Sequence, residues 1–520
     1  MAKPVWTDAQ VYDQLRTGQY WLNAPISYSF PSIGTNVYGD QKEATGFVQL
    51  NAAQQSAAQL AIMTWGDLMK PAFQSVSDGR ANITFGMTNT GIEYAHAYYP
   101  VKGGVWFNKT EADLVNPVVG KYGFNTYIHE IGHAIGLDHM GNYNGAGPSQ
   151  PSCWQDSSVY SVMSYYGPSN SSGGEGEVAW ANWTVGGVKY SPQTPMLNDV
   201  MVIQNIYGAA TTRPEDTIYG FGSNIQGRLS EIYDFAKNPY PILCVYDSGG
   251  VDTINLSGWN TASSIDLLGG DNHFSSCDGM TSNLEIARGV VIENATTGGG
   301  DDVLIGNAVA NMLISGAGND QLRGDAGNDD LNGGTGFNRA IEQGQVSQYQ
   351  IRNLGDGRYT VSDTVVSRDG IDTLTQIQRI AFSERMAVGL DTAAGEYSGE
   401  AYRLYKAAFD RAPDQSGLGY WINSLDKGAW LTSVADSFVS STEFTAMYGA
   451  DCTNDHFVKL VYNHVLHRDP DAQGQAYWLE QLNLGLSRGN VLASFSESTE
   501  NIAQVLPLIV NGVQFQEWVG

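Results

Sequence analysis

Positive charge is scarce in this 520-residue chain: 27 Lys and Arg stand against 54 Asp and Glu, a formal net charge of −27. A nucleic-acid partner needs a face of clustered cations to displace counterions from phosphate, so that class is excluded. Cysteine is scarce too. Cys153, Cys244, Cys277 and Cys452 lie far apart with no C-x-x-C pair, so neither a thiolate metal site nor a disulfide framework is encoded. Cys244 and Cys277 could pair if the fold brought them together; mostly free thiols are expected. No apolar run reaches the roughly 18 residues of a membrane span. The opening stretch MAKPVWTDAQVYDQL lacks the apolar core of about 7–15 residues that a cleaved secretory signal requires.

Histidine is also rare, eight in all, yet three fall within His129-Glu130-Ile131-Gly132-His133-Ala134-Ile135-Gly136-Leu137-Asp138-His139. On a helix, His129 and His133 are four residues apart and project from one face, with Glu130 at its edge. A straight helix cannot bring His139 to the same point, so the chain must turn, and Gly136 can take the positive φ such a turn needs. Three neutral nitrogens with a vacant fourth position are the pattern of a catalytic zinc ion. One such ion is expected here.

A second pattern starts at Thr297 with a period of nine: TGGGDDVLI, GNAVANMLI, SGAGNDQLR, GDAGNDDLN and GGTGFNRAI. The sixth position carries Asp302, Asn311, Asp320, Asp329 and Asn338; the eighth carries Leu304, Leu313, Leu322 and Leu331 before failing at Ala340. This is the spacing of a parallel β-roll that binds calcium. Each unit makes a glycine turn whose carbonyls and Asp offer hard oxygen ligands, then a short strand whose leucine points inward. The glycine-turn ligands are Gly298, Gly300 and Asp302, then Gly316, Gly318 and Asp320, then Gly327 and Asp329. The second unit has Asn307, Val309 and Asn311 where Gly, Gly and Asp are expected, which weakens or removes one site. Several structural Ca²⁺ ions are expected, and they would offset part of the acidic excess.

The eleven-residue histidine pattern is the signature of the metzincin metallopeptidases. Ser161-Val162-Met163-Ser164-Tyr165 resembles the Met-turn of that clan. The resemblance makes Met163 an apolar floor beneath the metal. It makes Tyr165 a further zinc ligand that can swing to the substrate oxyanion. Over residues 20–338 the chain resembles the serralysins, bacterial secreted metalloproteases with RTX repeats. Connecting segments such as Pro192–Leu197, Ile203–Gly208 and Ile292–Ala295 share in the likeness. One pair of loops, 213–217 and 247–252, resembles family calcium loops. The implied ligands are the carbonyls of Arg213, Glu215, Thr217, Gly249 and Gly250, with the carboxylates of Asp247, Asp252 and Glu293. Ala95, His96, Ala97 and Tyr98 would form the edge strand that pairs with an extended substrate, reading backbone before side chains. One departure is Met140, where serralysins usually have proline after the third histidine.

The resemblance implies hydrolysis of peptide bonds in extracellular proteins. Glu130 would be the general base, and zinc with Tyr165 would hold the oxyanion. It also implies export by a type I secretion apparatus that needs no cleaved N-terminal signal, and an extracellular or cell-surface location. The C-terminal Gln516-Glu517-Trp518-Val519-Gly520 matches the family's acidic-then-apolar ending imperfectly.

The expected architecture is multidomain: an α/β metzincin zinc-protease domain, an all-β calcium-binding parallel β-roll, then an α-helical C-terminal domain. Its parts are an N-terminal segment or propeptide at 1–20, the catalytic domain at 21–210 and the calcium coil at 211–338. A β cap or linker follows at 339–395, then a helical domain at 396–520. That last part repeats at an offset of 57, with Tyr405, Arg411, Asp414, Tyr420, Trp421 and Glu443 recurring as Tyr462, Arg468, Asp471, Tyr477, Trp478 and Glu500. It resembles a helical domain of unknown function at the ends of bacterial exoproteins. Its Asp residues are expected to cap helices and its Tyr-Trp pairs to fill a core. His456, His464 and His467 lie near one another but lack an acidic or Cys partner at ligand spacing. A cell-surface or glycan partner for this domain is one expectation. Two other functional readings stay open: a processing protease dedicated to one surface protein, and a non-catalytic calcium-dependent adhesin.

Overall fold

The structure is a computed structural model and describes residues 3–77, 81–144, 150–168 and 181–519. Residues 145–149, between His139 and Met163, and Met1, Ala2 and Gly520 of the terminal segments lie outside the described residues. The chain forms two compact units, Met1–Asn307 and Ala308–Gly520.

The first unit begins with helix α1 (Asp8–Leu15), capped at Thr7. A five-stranded sheet follows, in the order β2-β1-β3-β5-β4, from β1 (Ile26–Ser29), β2 (Phe73–Ser75), β3 (Ile83–Thr88), β4 (Ala95–Ala97) and β5 (Gly104–Asn108). The first four neighbours run parallel, and β4 closes the edge antiparallel to β5 through His96↔Trp106. A short helix α2 (Gln41–Thr45) precedes the backing helix α3 (Ala52–Gly66). Asn51 starts α3 with a reciprocal cap: it accepts from Gln54 N at 3.0 Å while Gln54 Oε1 accepts from Asn51 N at 2.8 Å. Ala57, Ala58, Leu60, Ala61 and Trp65 are buried on α3, and Trp65 Nε1 donates to the Ile128 carbonyl at 3.0 Å. That bond ties α3 to α5 (Tyr122–Ala134), which carries the first two histidines. Helix α4 (Ala112–Val115) precedes α5, and α6 (Leu197–Tyr207) completes the layer.

Beyond α6 this unit changes to short strands. Ile218–Gly220, Thr253–Asn255 and Asn294–Thr296 stack in parallel, as do Ser264–Asp266 and Val303–Ile305. The spacing of three-residue strands with one inward side chain each leaves Ile254, Ile265, Ala295 and Leu304 buried.

The second unit continues that pattern. Met312–Ile314, Asp330–Asn332 and Ile371–Thr375 form one parallel ladder; Gln321–Arg323, Arg339–Ile341 and Arg379–Ala381 form another. Leu313, Leu322, Leu331, Ala340, Leu374 and Ile380 point inward and are buried. Ala340 therefore holds the leucine position although the sequence pattern fails there. Residues 371–381 extend both ladders in parallel, where a cap or linker was expected. Antiparallel strands then end each ladder: Arg358–Asp363 with Tyr349–Gly355 on one, Met386–Gly389 with Val513–Gln516 on the other. Val513–Gln516 departs from the all-helical expectation for 396–520. Only two side chains, Val513 and Phe515, alternate inward there, a signal too short to separate from the preceding helix.

Eight helices between Tyr397 and Ile509 make the rest of the unit. The 57-residue repeat is structural: Arg411 pairs with Glu443 at 2.8 Å and Arg468 with Glu500 at 2.9 Å. Asp414 and Asp471 cap their helices by accepting from Gly417 N and Gly474 N. Trp421 and Trp478 pack on the helical core, but Tyr420 and Tyr477 stand 40% and 52% exposed, against the expectation of a core role for both members of each pair. On these helices the ring one position from the inward tryptophan has turned out to solvent.

Leu322→Ala would remove a fully buried side chain from a coil only one leucine thick per turn. A loss of about 2–5 kcal/mol is expected in denaturant unfolding of the protein; a loss under about 1 kcal/mol would show that the coil interior collapses around the cavity.

Candidate metal centre

Helix α5 ends at Ala134, Ile135 leaves helical geometry, and Gly136 adopts φ +110°. A Cβ at Gly136 would lie 2.4 Å from the Gln19 carbonyl, so the turn is restricted to glycine twice over. The N-terminal segment holds the far side of this turn. Thr17 N donates to Gly136 O at 3.0 Å and Asp138 N to Leu15 O at 2.6 Å.

The turn brings His129, His133 and His139 together, with one ligand atom from each within 4.8 Å of the others. Every Nδ1 faces a backbone carbonyl: His129 on Val162 at 2.7 Å, His133 on Leu137 at 2.8 Å, His139 on Tyr143 at 2.8 Å. A carbonyl only accepts, so each Nδ1 carries the proton and each Nε2 keeps a lone pair. His133 Nε2 and His139 Nε2 are 3.0 Å apart. Two lone pairs at that distance repel unless a cation lies between them, and two zinc–nitrogen bonds at a tetrahedral angle would place the nitrogens about 3.3 Å apart. Burial, reinforced at His129 and His133 by neighbouring imidazoles, pushes all three below the usual histidine range and keeps them neutral. The donor set fits zinc.

Glu130 is buried beside the triad, its Oε2 has no hydrogen-bond partner, and burial pushes its carboxyl up to about 8. A proton-accepting group held near neutrality suits general-base work. Tyr165 stands beside the triad, its ring 4.5 Å from that of His139, and is 43% exposed. Met163 is buried under Gly132, where a Cβ would meet its Sδ at 2.7 Å.

The turn carrying Met163 is held by Asp199 on α6, which composition and spacing gave no means of finding. Asp199 accepts from Ser161 Oγ at 2.6 Å, Val162 N at 2.8 Å and Met196 N at 2.9 Å. It thus fixes the residue whose carbonyl orients His129. Asp156 does the same for the third ligand: it accepts from the Tyr143 hydroxyl at 2.6 Å and Ser164 Oγ at 2.7 Å, and Tyr143 orients His139.

The edge strand lies along β5, and His96 contacts a carboxylate rather than a metal: its Nε2 is 2.5 Å from Glu43 Oε1. The Tyr98 hydroxyl also donates to Glu43, at 3.1 Å. Ala95 and Ala97 sit either side of His96 in the same register.

The calcium-ligand candidates form separate groups. In the first unit, loops 213–217 and 247–252 meet. Asp252 Oδ1 accepts from Thr217 N at 2.8 Å, Asp252 N donates to Glu293 at 2.7 Å, and a Cβ on Gly250 would strike Glu215 backbone. Asp247 accepts from Gly249 N and the Tyr219 hydroxyl. The Arg213 side chain turns to Asp67 at 2.7 Å, leaving only its carbonyl to serve the loop. Asp252 Oδ2 is buried without a partner, and burial, aided by Asp247 and Glu293, pushes the carboxyl up to about 7. Asp302 accepts from Ser263 N at 2.6 Å, and Cβ atoms at Gly298 and Gly300 would collide with backbone at Trp259 and Ala262.

In the second unit, a sixth-position side chain accepts an amide from the loop 18 residues earlier: Asp329 from Asn311 N at 2.8 Å, Asn338 from Asp320 N at 3.1 Å. Gly334 and Gly336 press on the carbonyls of Gly316 and Gly318, and Gly327 on that of Val309. Asp329 Oδ2 is buried without a partner, and burial pushes Asp329 up to about 7. Buried anionic oxygens without donors fit a hard cation.

His464 and His467 do not gather with an acid; among the described residues the triad is the one such group of three. All four cysteines are free, and Cys277 accepts from Asn283 instead of pairing with Cys244. Among the described residues no helix is long and apolar enough to cross a membrane.

Residues 208–397 match the family model described as Peptidase M10 serralysin C terminal, and residues 435–505 match a domain of unknown function. The chain is 37% identical over 335 residues to Metalloprotease AprA of Pseudomonas entomophila, covering 60% of this chain and 66% of that one. It is 38% identical over 283 residues to Serralysin of Photorhabdus laumondii, covering 51% and 56%. Serralysin G of Dickeya chrysanthemi is 36% identical over 337 residues, covering 60% and 67%. The chain thus spans just under two thirds of the AprA relative and little more than half of the Photorhabdus one.

Asp199→Ala would orphan three buried donors and free the Val162 carbonyl to shift. Zinc affinity, read by chelator competition, is expected to fall roughly 10–100-fold, the usual cost of losing the support of a ligand. Unchanged affinity would mean that the Met163 turn holds itself.

Proposed function

The chain belongs to the serralysin family, and from that premise we propose that it is a secreted zinc-dependent endopeptidase with a calcium-stabilised β-roll. The observation that carries the reading is the triad of neutral imidazoles with converging Nε2 lone pairs and, beside it, a buried Glu130 whose Oε2 has no partner. His129, His133 and His139 would hold the ion. Zinc, when bound, supplies Lewis acidity to the attacking water and the scissile carbonyl. Glu130 takes the proton from that water and delivers it to the leaving amine. The Tyr165 hydroxyl donates to the oxyanion as it forms. Ala95–Ala97, at the sheet edge, offers a free ladder side to an extended peptide, which suits protein substrates of varied sequence. Met163 and Gly132 supply a tight apolar floor rather than chemistry.

The calcium reading rests on Asp252 and Asp329, each with a buried oxygen that nothing in the chain satisfies. Without the ion these carboxylates repel or must be protonated. Folding would then wait for the calcium of the extracellular space, in keeping with export by a type I apparatus. Within this reading, residues 15–17 belong with the catalytic unit, since their backbone braces the turn before His139. The helical domain at 396–520, with Tyr420 and Tyr477 turned outward, is the surface available for a cell-surface or glycan partner.

Glu130→Gln is expected to retain stoichiometric zinc and lose nearly all hydrolysis of an unfolded protein substrate, at least 10²-fold. Substantial turnover with zinc bound would remove Glu130 from the role of base.

The pH response without calcium follows from the raised carboxyls. In the folded state Asp252 and Asp329 titrate about 7, against an ordinary 3.8. Between those values the folded state holds protons that the unfolded state has lost, so stability falls as pH rises. Chelated protein should melt lower at pH 7.5 than at pH 5, and saturating calcium should narrow the difference by removing the share these two carboxyls contribute. A chelated protein with no such drop would count against cation binding at these carboxylates.

A further inference from the structure

Residues 367–375 form a further turn of the coil that the nonapeptide pattern does not reveal. Asp329 N donates to Asp372 Oδ1 at 3.0 Å, Thr373 N to Asp329 O at 2.7 Å and Ile371 N to Asn328 Oδ1 at 3.0 Å. The same three bonds link the turns before it: Asp320 N to Asn338 Oδ1, Arg339 N to Asp320 O and Phe337 N to Asn319 Oδ1. Asp372 lies 43 residues after its partner instead of 18, because the hairpin of Tyr349–Gly355 and Arg358–Asp363 is inserted between the turns.

The base of that insertion holds buried carboxylates outside the glycine-rich loops. Glu342 closes the preceding strand, and Asp369 opens the displaced turn; each is 3% exposed. Asp369 Oδ2 accepts from Gln343 N at 3.0 Å and from the Tyr349 hydroxyl. Asp369 Oδ1 and Glu342 Oε1 are buried with no hydrogen-bond partner, and the bond from Gln343 N holds Asp369 against the residue next to Glu342. Arg368 approaches Asp369 at 3.7 Å, but its guanidinium is committed to Asp363 at 2.6 and 2.8 Å. Burial first, then Asp372 and Asp369, push Glu342 well above the usual carboxylate range.

Two buried anionic oxygens with no donor, on neighbouring segments, need either a cation or a proton to compensate them. The cation suited to carboxylates in an irregular, nearly water-free setting is calcium, which accepts flexible oxygen coordination; magnesium retains several waters and demands an octahedron. We propose that Glu342 and Asp369 bind a calcium ion of their own, which clamps the inserted hairpin onto the coil. The site stands on these side chains and does not depend on calcium at Asp320 or Asp329, nor on the peptidase reading.

The test compares calcium per chain in the full-length protein and in Glu342→Gln/Asp369→Asn, each refolded in calcium and dialysed before elemental analysis. One ion fewer per chain in the variant, with zinc content unchanged, is the expected result. An equal count overturns the proposal and leaves a proton, which Gln and Asn would mimic. Should the double variant fail to fold, crystals of the wild type grown with terbium decide the matter. An anomalous peak between Glu342 Oε1 and Asp369 Oδ1 supports the site, and no peak there overturns it.

Discussion

Each of the three imidazoles gives its Nδ1–H to a main-chain carbonyl, and the arrangement of the first unit depends on where those carbonyls are held. Val162 is set by Asp199 on α6. Leu137 is set by the turn at Gly136 that the N-terminal segment braces. Tyr143 is set by Asp156. A carbonyl shifted by an ångström would rotate the ring it orients and break the convergence of the three Nε2 lone pairs. The backing helix, the strap of residues 15–17 and α6 are thus parts of one coordination scaffold, although none of them offers a ligand.

Buried charge organises the coil in the same sense. An inward leucine or alanine per turn is too thin a core to hold short strands alone. The turns are joined by carboxylates or amides that each accept an N–H from the turn beneath. One oxygen of each such bond is satisfied by backbone, while the second, at Asp252 and Asp329, is left for something the chain does not contain. Stability and metal occupancy are then linked through the same atoms.

Much of this was legible because it is local. The i, i+4 spacing of His129 and His133, the glycine that ends their helix and the period of nine are short-range patterns, and periodicity reports on them directly. The caps at Asp414 and Asp471 belong to the same class. Asp199 was not legible: it contacts Ser161 from 38 residues away, and nothing in α6 marks it as different from a surface acid. The turn at 367–375 was hidden by an insertion that broke the period while preserving the register. Tyr420 and Tyr477 were misjudged because an aromatic pair on a helix presents one ring inward and the other outward, and only packing selects which.

By itself the sequence determined the ligand types, the helix that pairs the first two histidines, the glycine turn and the repeat that builds the coil. Each of these is set by covalent spacing and backbone permission, which act over a few residues whatever surrounds them. Tertiary structure alone decided which carbonyls orient the imidazoles and which carboxyl oxygens remain without a donor. It also decided that Val513–Gln516 returns to close a sheet edge beside Met386–Gly389. Those outcomes depend on desolvation and on hydrogen bonds between segments far apart in the chain, and burial exists only once the segments have packed.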